Sequence, residues 1–187
     1  MNIEEFVNKY FGEALKAFQK EGIAQEISNL SIFEKTIIYK YALDYYEDLN
    51  YNLRYGRLTP VQQLFAKFLN EALDKLPNDE GFVYRGVRLS QSKIKKYEDA
   101  LASGTPIVEK GFSSTSTSSS VAEQFSGGEV IFYIESSRGK SIELLSHYGT
   151  HNSQNEKEIL FKSETTFSVL GIKQIGTKTI ITLEEII

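Results

Sequence analysis

Through about residue 76, apolar positions recur every three to four residues, the spacing of one face of an α-helix. Phe6, Tyr10, Ala14 and Phe18 form the first stripe. Ser31-Ile32-Phe33-Glu34 is a capping-box start, and Phe33, Ile37, Tyr41, Tyr45 and Leu49 continue from it at the same spacing. Thr59-Pro60-Val61-Gln62 opens a third helix with proline at its first position. Its stripe is Val61, Leu64, Phe65, Phe68, Leu69, Ala72 and Leu76, and Pro77-Asn78-Asp79-Glu80-Gly81 ends it. From Phe82 onward strands are expected, at 82–87, 107–112, 129–135, 141–145, 158–161, 165–174 and 178–186. A short helix is expected from the capping box Ser120-Val121-Ala122-Glu123 to Phe125, and another over 91–101. For the serine/threonine run 113–120 a polar loop is the plainer alternative to a functional motif. Helices first and strands after argue an α+β fold. One domain is expected over 1–187, with a helical part at 1–76 and a strand-rich core at 77–187.

Composition narrows the partners. Hydrophobic residues are 41% and aromatics 12%, which excludes a disordered chain. The net charge of −4 provides no general basic surface, so no nucleic-acid partner is expected. There is no cysteine, hence no disulfide, thiolate nucleophile or zinc–thiolate site. No run of about 18 apolar residues exists to cross a membrane. Met1-Asn2-Ile3-Glu4-Glu5 is acidic and unlike a secretory signal.

The candidate chemistry starts at Asn155-Glu156-Lys157-Glu158-Ile159-Leu160-Phe161. Residues i and i+2 of a strand share a face, so Glu156 and Glu158 are expected side by side where a polar loop becomes a strand. Two close carboxylates repel, which raises one pKa or calls for a cation. Two solvated acids on an edge strand are the plainer alternative. Phe82-Val83-Tyr84-Arg85-Gly86-Val87 places an arginine in a core-like strand. Its fork of donors fits a phosphate or carboxylate; a buried ion pair with one of the chain's own acids is the alternative. His147 and His151 stand four apart, but in a Gly/Asn/Ser-rich loop that spacing makes no helical metal pair, so no metal site is expected.

Arginine on a strand, then Phe112-Ser113-Ser114-Thr115-Ser116, then Glu156-Lys157-Glu158, resembles the mono-ADP-ribosyltransferases of the Arg–Ser–Glu class, which includes the catalytic domains of bacterial binary toxins. Tyr45 to Arg54 resembles the family's helix ending in Asn-x-x-Leu-Arg, and the resemblance covers roughly residues 30 to 187. It implies two small, mainly antiparallel sheets packed around an NAD-binding cleft, flanked by helices. It also implies roles. Arg85 clamps the diphosphate of NAD, Glu158 stabilises the ribosyl cation, Ser114 orients Glu158, and Glu156 serves an arginine acceptor. Gly86, Thr115, Ser116, Asn50 and Arg54 are expected at the NAD site. Phe125 is placed to stack on nicotinamide, or else is a core residue. Tyr148 is a candidate to stack on the acceptor arginine. The second arginine that toxin members place after the aromatic is missing, since Ser126-Gly127-Gly128-Glu129 follows; glycine amides there are an alternative phosphate ligand.

The expected activity is transfer of ADP-ribose from the co-substrate NAD to an arginine of a target protein, with release of nicotinamide. An NAD glycohydrolase of the same fold and an inactive binding module are the alternatives. No second domain or partner-binding region of the binary-toxin kind is expected within these residues. A monomeric effector, toxin fragment or phage protein acting in the cytosol of a host or target cell fits that reading.

Overall fold

The computed structural model describes residues 1–22, 27–127 and 129–187. The helical part holds α1 (Ile3–Tyr10), α2 (Gly12–Glu21), α3 (Ile32–Lys40), α4 (Tyr46–Tyr55) and α5 (Pro60–Asp74), with a π-helical segment, Tyr41–Tyr45, joining α3 to α4. The capping boxes at Ser31/Glu34 and Thr59/Gln62 both form. The first stripe does not run through one helix. The chain breaks at Phe11, which is buried, while Tyr10 turns outward. The stripe from Phe33 to Leu49 is also interrupted. Positions four apart drift by about 40° per step around a 3.6-residue helix, so five of them cannot hold one face. The wider π turn takes up the difference and keeps both Tyr41 and Leu49 buried.

The remaining elements are β1 (Asp79–Val87), α6 (Gln91–Ser103), β2 (Ile107–Glu109), β3 (Ser113–Ser116), α7 (Ser119–Ser126), β4 (Val130–Ser141), β5 (Glu158–Phe161), β6 (Thr165–Ile175) and β7 (Lys178–Glu185). They form one hydrogen-bonded ladder in the order β1-β3-β5-β4-β7-β6-β2, with β1 also paired to β4. The two expected sheets are thus linked through β1 and β4 rather than separate. All pairings are antiparallel except β4 with β7.

Three expectations are corrected. The strands at 129–135 and 141–145 are a single strand, β4, and 142–145 is a turn whose Ile142 and Leu145 are buried. The Glu185 carboxylate accepts from the backbone N–H groups of Ser137 (2.8 Å) and Arg138 (2.7 Å), so the strand carries on through the Arg138-Gly139 pair. The serine run is not loop throughout, because β3 pairs with β5 in the register Ser114↔Leu160 and Ser116↔Glu158. No capping box forms at Ser120; α7 starts one residue earlier, after Ser118.

Every residue of β5 is buried, because the strand lies between two cores. Leu160 belongs to the core of the helical part, with Tyr41, Leu49, Phe65 and Phe112. Ile159 and Phe161 belong to the core under the sheet, with Val83, Phe132 and Leu183. Side chains alternate along a strand, so Glu158 sits on the Leu160 side, facing the helices. The buried Lys140 ammonium joins the two halves, donating to the Leu76 carbonyl and to Asn78 Oδ1, both at 2.7 Å.

Candidate active site

A cavity of about 560 Å³ lies between the π segment, α4, α7 and the ends of β1, β3 and β5. Arg85, Ser114, Glu156 and Glu158 all line it. Glu158 is 5% exposed. Burial pushes its carboxyl up to about 7, with the neighbouring Glu156 adding to the rise, while a hydrogen bond from Ser114 and the Arg85 charge oppose it. Burial raises Glu156 as well. Ser114 lies diagonally across the β3–β5 ladder from Glu158, on the same face, which is how its hydroxyl reaches the carboxylate.

The two glutamates come together by a route other than the expected pleat. Strand β5 begins only at Glu158, and Lys157 takes a left-handed conformation at φ 48°. Such a backbone is costly for a lysine. It is held from both sides: the Lys157 N–H donates to Asn155 Oδ1 (2.9 Å), and its carbonyl accepts from the Thr117 N–H (3.2 Å). A turn therefore aims both carboxylates into the cavity.

Arg85 leaves β1 opposite Phe132, at the edge of the sheet core. Its Nη1 donates to the Ser114 carbonyl at 3.1 Å. Among the described residues no carboxylate forms an ion pair with it, so the expected alternative of an internal salt bridge is not realised. Burial and the nearby Arg54 lower its pKa, yet a guanidinium stays protonated. A half-buried cation with most of its donors unused is suited to an anion.

Other expected residues fall in different places. Gly86 lines the cavity, but a Cβ there would stand 1.7 Å from the Ala122 carbonyl oxygen, so its bareness serves the seating of α7. Thr115 spends its hydroxyl on the Ile159 carbonyl (2.7 Å) and Ser116 on the Glu156 carbonyl (2.6 Å), tying β3 to β5 and its approach. Asn50 reaches the cavity wall but is braced on both ends: Oδ1 accepts from the Phe112 N–H (2.8 Å) and Nδ2 donates to the Tyr41 hydroxyl (3.0 Å). Arg54 lies outside the lining and pairs with Glu109 at 3.0 Å. Phe125 stands at the mouth, 61% exposed, and is no core residue. Tyr148 and Glu156 both line the cavity. His147 meets Glu21 of α2 at 3.2 Å, and His151 is exposed. Gly128 lies outside the described residues.

Sequence reasoning missed Tyr41, Tyr46 and Tyr84, which also line the cavity. Tyr41 stands in the apolar stripe from Phe33 to Leu49, which hides its polar end. The available signal was its hydroxyl, since a buried tyrosine needs a polar partner.

The ADP-ribosyltransferase exoenzyme family model matches residues 15–187. The chain belongs to that family. Two curated relatives are similar over part of their length. Mav of Mycobacterium avium (strain 104) is 36% identical over 143 residues, covering 76% of this chain and 16% of Mav. The NAD(+)–protein-arginine ADP-ribosyltransferase Tre1 of Serratia proteamaculans (strain 568) is 32% identical over 121 residues, covering 64% of this chain and 24% of Tre1. The chain thus spans a minor part of the length of both. Among solved structures, Pseudomonas aeruginosa exoenzyme S, in complex with human 14-3-3 protein beta and bound to carba-NAD, aligns with TM-score 0.79 and 26% identity, over 98% of this chain and 86% of that one. Membership of this family agrees with the order of arginine strand, serine strand and Glu-x-Glu turn. Among the described residues no helix is long and apolar enough to cross a membrane.

Proposed function

We propose that this chain transfers ADP-ribose from NAD to an arginine of a target protein, releasing nicotinamide, in the cytosol of a host or target cell. The observation that carries the reading is the joint placement of Arg85, with no carboxylate partner among the described residues, and Glu158, buried and aimed at the same cavity.

In this reading the Arg85 fork holds the diphosphate. The C1′–N bond of the nicotinamide ribose breaks and the bonding electrons leave with nicotinamide, which becomes neutral. The ribosyl centre passes through an oxocarbenium-like state. Ionised Glu158, fixed by Ser114, stabilises that cation at the ribose. Its low-dielectric setting strengthens the interaction. A guanidinium nitrogen of the acceptor then bonds to C1′. Arginine is protonated at neutral pH, so this step releases a proton, and Glu156 is the carboxylate placed to take it. Tyr148 offers an aromatic face to the incoming side chain.

The test is nicotinamide release and ADP-ribose incorporation measured on one preparation, with and without agmatine as an arginine analogue. Stimulated nicotinamide release with modified agmatine is the expected result. Nicotinamide release with no transfer to any guanidine would leave water as the acceptor. Loss of neither NAD nor signal would make the chain a binding module.

A further inference from the structure

We propose that Glu21, the last residue of α2, is a positioning residue for the acceptor: it grips His147 and so fixes the loop that carries Tyr148 and leads into Glu156. The inference rests on the reading above, in which Tyr148 and Glu156 meet the incoming guanidinium.

Local rules place Glu21 poorly. It ends α2, just ahead of the C-cap Gly22, where the helix dipole is negative and an acid is unfavourable. Two donors from other parts of the chain compensate. The hydroxyl of Tyr39, a buried residue of α3, donates to Glu21 Oε1 at 2.7 Å. His147 Nδ1 stands 3.2 Å from Oε1 and 3.3 Å from Oε2, within reach of both oxygens. A carboxylate only accepts, so Nδ1 carries the hydrogen. The imidazole packs edge-on against the Tyr39 ring, with centroids 6.4 Å apart, and against the Tyr148 ring at 5.0 Å. Phe18 of α2 packs on Tyr39 in turn, at 5.4 Å.

The grip lands one residue before Tyr148. Loop 146–155 is rich in glycine, serine and asparagine, and such a segment has many conformations to choose from. Its other hydrogen bonds stay within residues 142–157. The Tyr148 N–H donates to Ser146 Oγ (3.2 Å), and Asn152 Nδ2 donates to the His147 carbonyl (3.1 Å). These bonds shape the loop without fixing where it sits against the helices. Among the described residues, no other side-chain hydrogen bond ties 146–155 to the helical part. The Tyr148 carbonyl then accepts from the Glu156 N–H at 2.9 Å, so the position of Tyr148 is passed on to Glu156. Neither Glu21 nor His147 lines the cavity, while Glu158 is held by β5 and Arg85 by β1. The link therefore acts on the groups that serve the acceptor and not on those that serve NAD.

The experiment compares Glu21→Ala, Glu21→Gln, His147→Ala and the Glu21→Ala/His147→Ala double variant with wild type. Transfer to agmatine is measured beside nicotinamide release without acceptor. Glu21→Ala is expected to lower kcat/KM for agmatine about tenfold, mostly through KM, since a misplacement of about 1 Å can cost about 100-fold. NAD hydrolysis and KM for NAD should stay within about twofold of wild type. Glu21→Gln keeps an oxygen for both donors and should recover most of the loss. His147→Ala should match Glu21→Ala, and the double variant should add nothing to either. A merely structural role would lower both activities together; that outcome, or an unchanged kcat/KM for agmatine, overturns the proposal. The His147 side chain is partly exposed, so His147→Ala answers even if Glu21→Ala does not fold. Amide NMR spectra give a second readout. Glu21→Ala or His147→Ala should shift the Tyr148 and Glu156 amides and leave those of Ser114 and Glu158 in place. No agmatine transfer by the wild type, or full transfer by Glu156→Gln, would defeat the functional reading instead. The amide shifts still decide the link, and unmoved Tyr148 and Glu156 amides overturn it.

Discussion

The backbone N–H of Glu156 donates to the Tyr148 carbonyl at 2.9 Å. The aromatic and the acid proposed to meet the acceptor are therefore set by one backbone bond. Loop 146–155 is itself pinned: a Cβ on Gly149 would stand 1.7 Å from the Glu143 carbonyl oxygen, and Asn155 Nδ2 donates to the Glu143 carboxylate. Glu156→Gln leaves this backbone intact and removes only the carboxylate proposed as the base. Transfer to agmatine should be lost, while slow NAD hydrolysis stays within a few-fold of wild type. Paired assays of both products check it; a parallel fall in the two would assign Glu156 to NAD instead.

Glu158→Gln should lower both activities by about 100-fold or more, because the amide keeps the shape but not the charge. The same change should alter stability with pH. The folded protein holds the Glu158 proton up to about 7, against an ordinary value of 4.5. Since the folded value is the higher one, this group's contribution is complete below 4.5 and is lost as pH rises from there to about 7. The loss is on the order of a few kcal/mol. Glu158→Gln should therefore raise Tm at pH 8 and leave it nearly unchanged at pH 4.5. Thermal melts at the two pH values decide; equal shifts at both would mean the carboxyl is not perturbed.

In the proposed mechanism activity needs Glu158 ionised. The acidic limb of kcat/KM for NAD hydrolysis should thus have its midpoint near 7. A limb near the ordinary glutamate value would show that the carboxylate is solvated in the working enzyme.

Arg85→Lys keeps the charge and loses the fork. NAD affinity should weaken by about tenfold, with kcat less affected. Titration calorimetry with NAD reads this directly. Unaltered affinity would place the diphosphate elsewhere in the cavity.

Gly86→Ala puts a methyl group into the Ala122 carbonyl, 1.7 Å away in the present backbone. Helix α7 must lift from β1, carrying Val121 and Phe125 off the cavity wall. A destabilisation of roughly 1–3 kcal/mol should accompany weaker NAD binding, measured by denaturant unfolding and calorimetry. A variant as stable as wild type would mean that α7 is not seated on this glycine.

Much of the architecture follows from local pattern. The stripe of α5, its Thr59/Gln62 box and the alternation of β7 are legible because a helix face or a strand face must be apolar to be buried. The order of Arg85, Ser114 and Glu158 was legible too, because each residue carries distinctive chemistry in a short window. β3 was not: Ser113-Ser114-Thr115-Ser116 has no apolar alternation, and it becomes a strand only through pairing with β5. The pairing is a long-range event that no window of local sequence contains.

The sequence by itself determined the family, the helical and strand-rich halves, and the residue types available to the cavity. Tertiary structure alone decided the rest. It spent Asn50, Thr115 and Ser116 on internal hydrogen bonds, sent Arg54 to Glu109, and brought Tyr41 from a helix stripe to the Asn50 amide. The physical reason is that a polar group's role depends on which partner its donors and acceptors meet, and those partners lie up to 62 residues away along the chain. The perturbed Glu158 arises in the same way, since its charge is set by burial between two cores that form only when the helices close over β5.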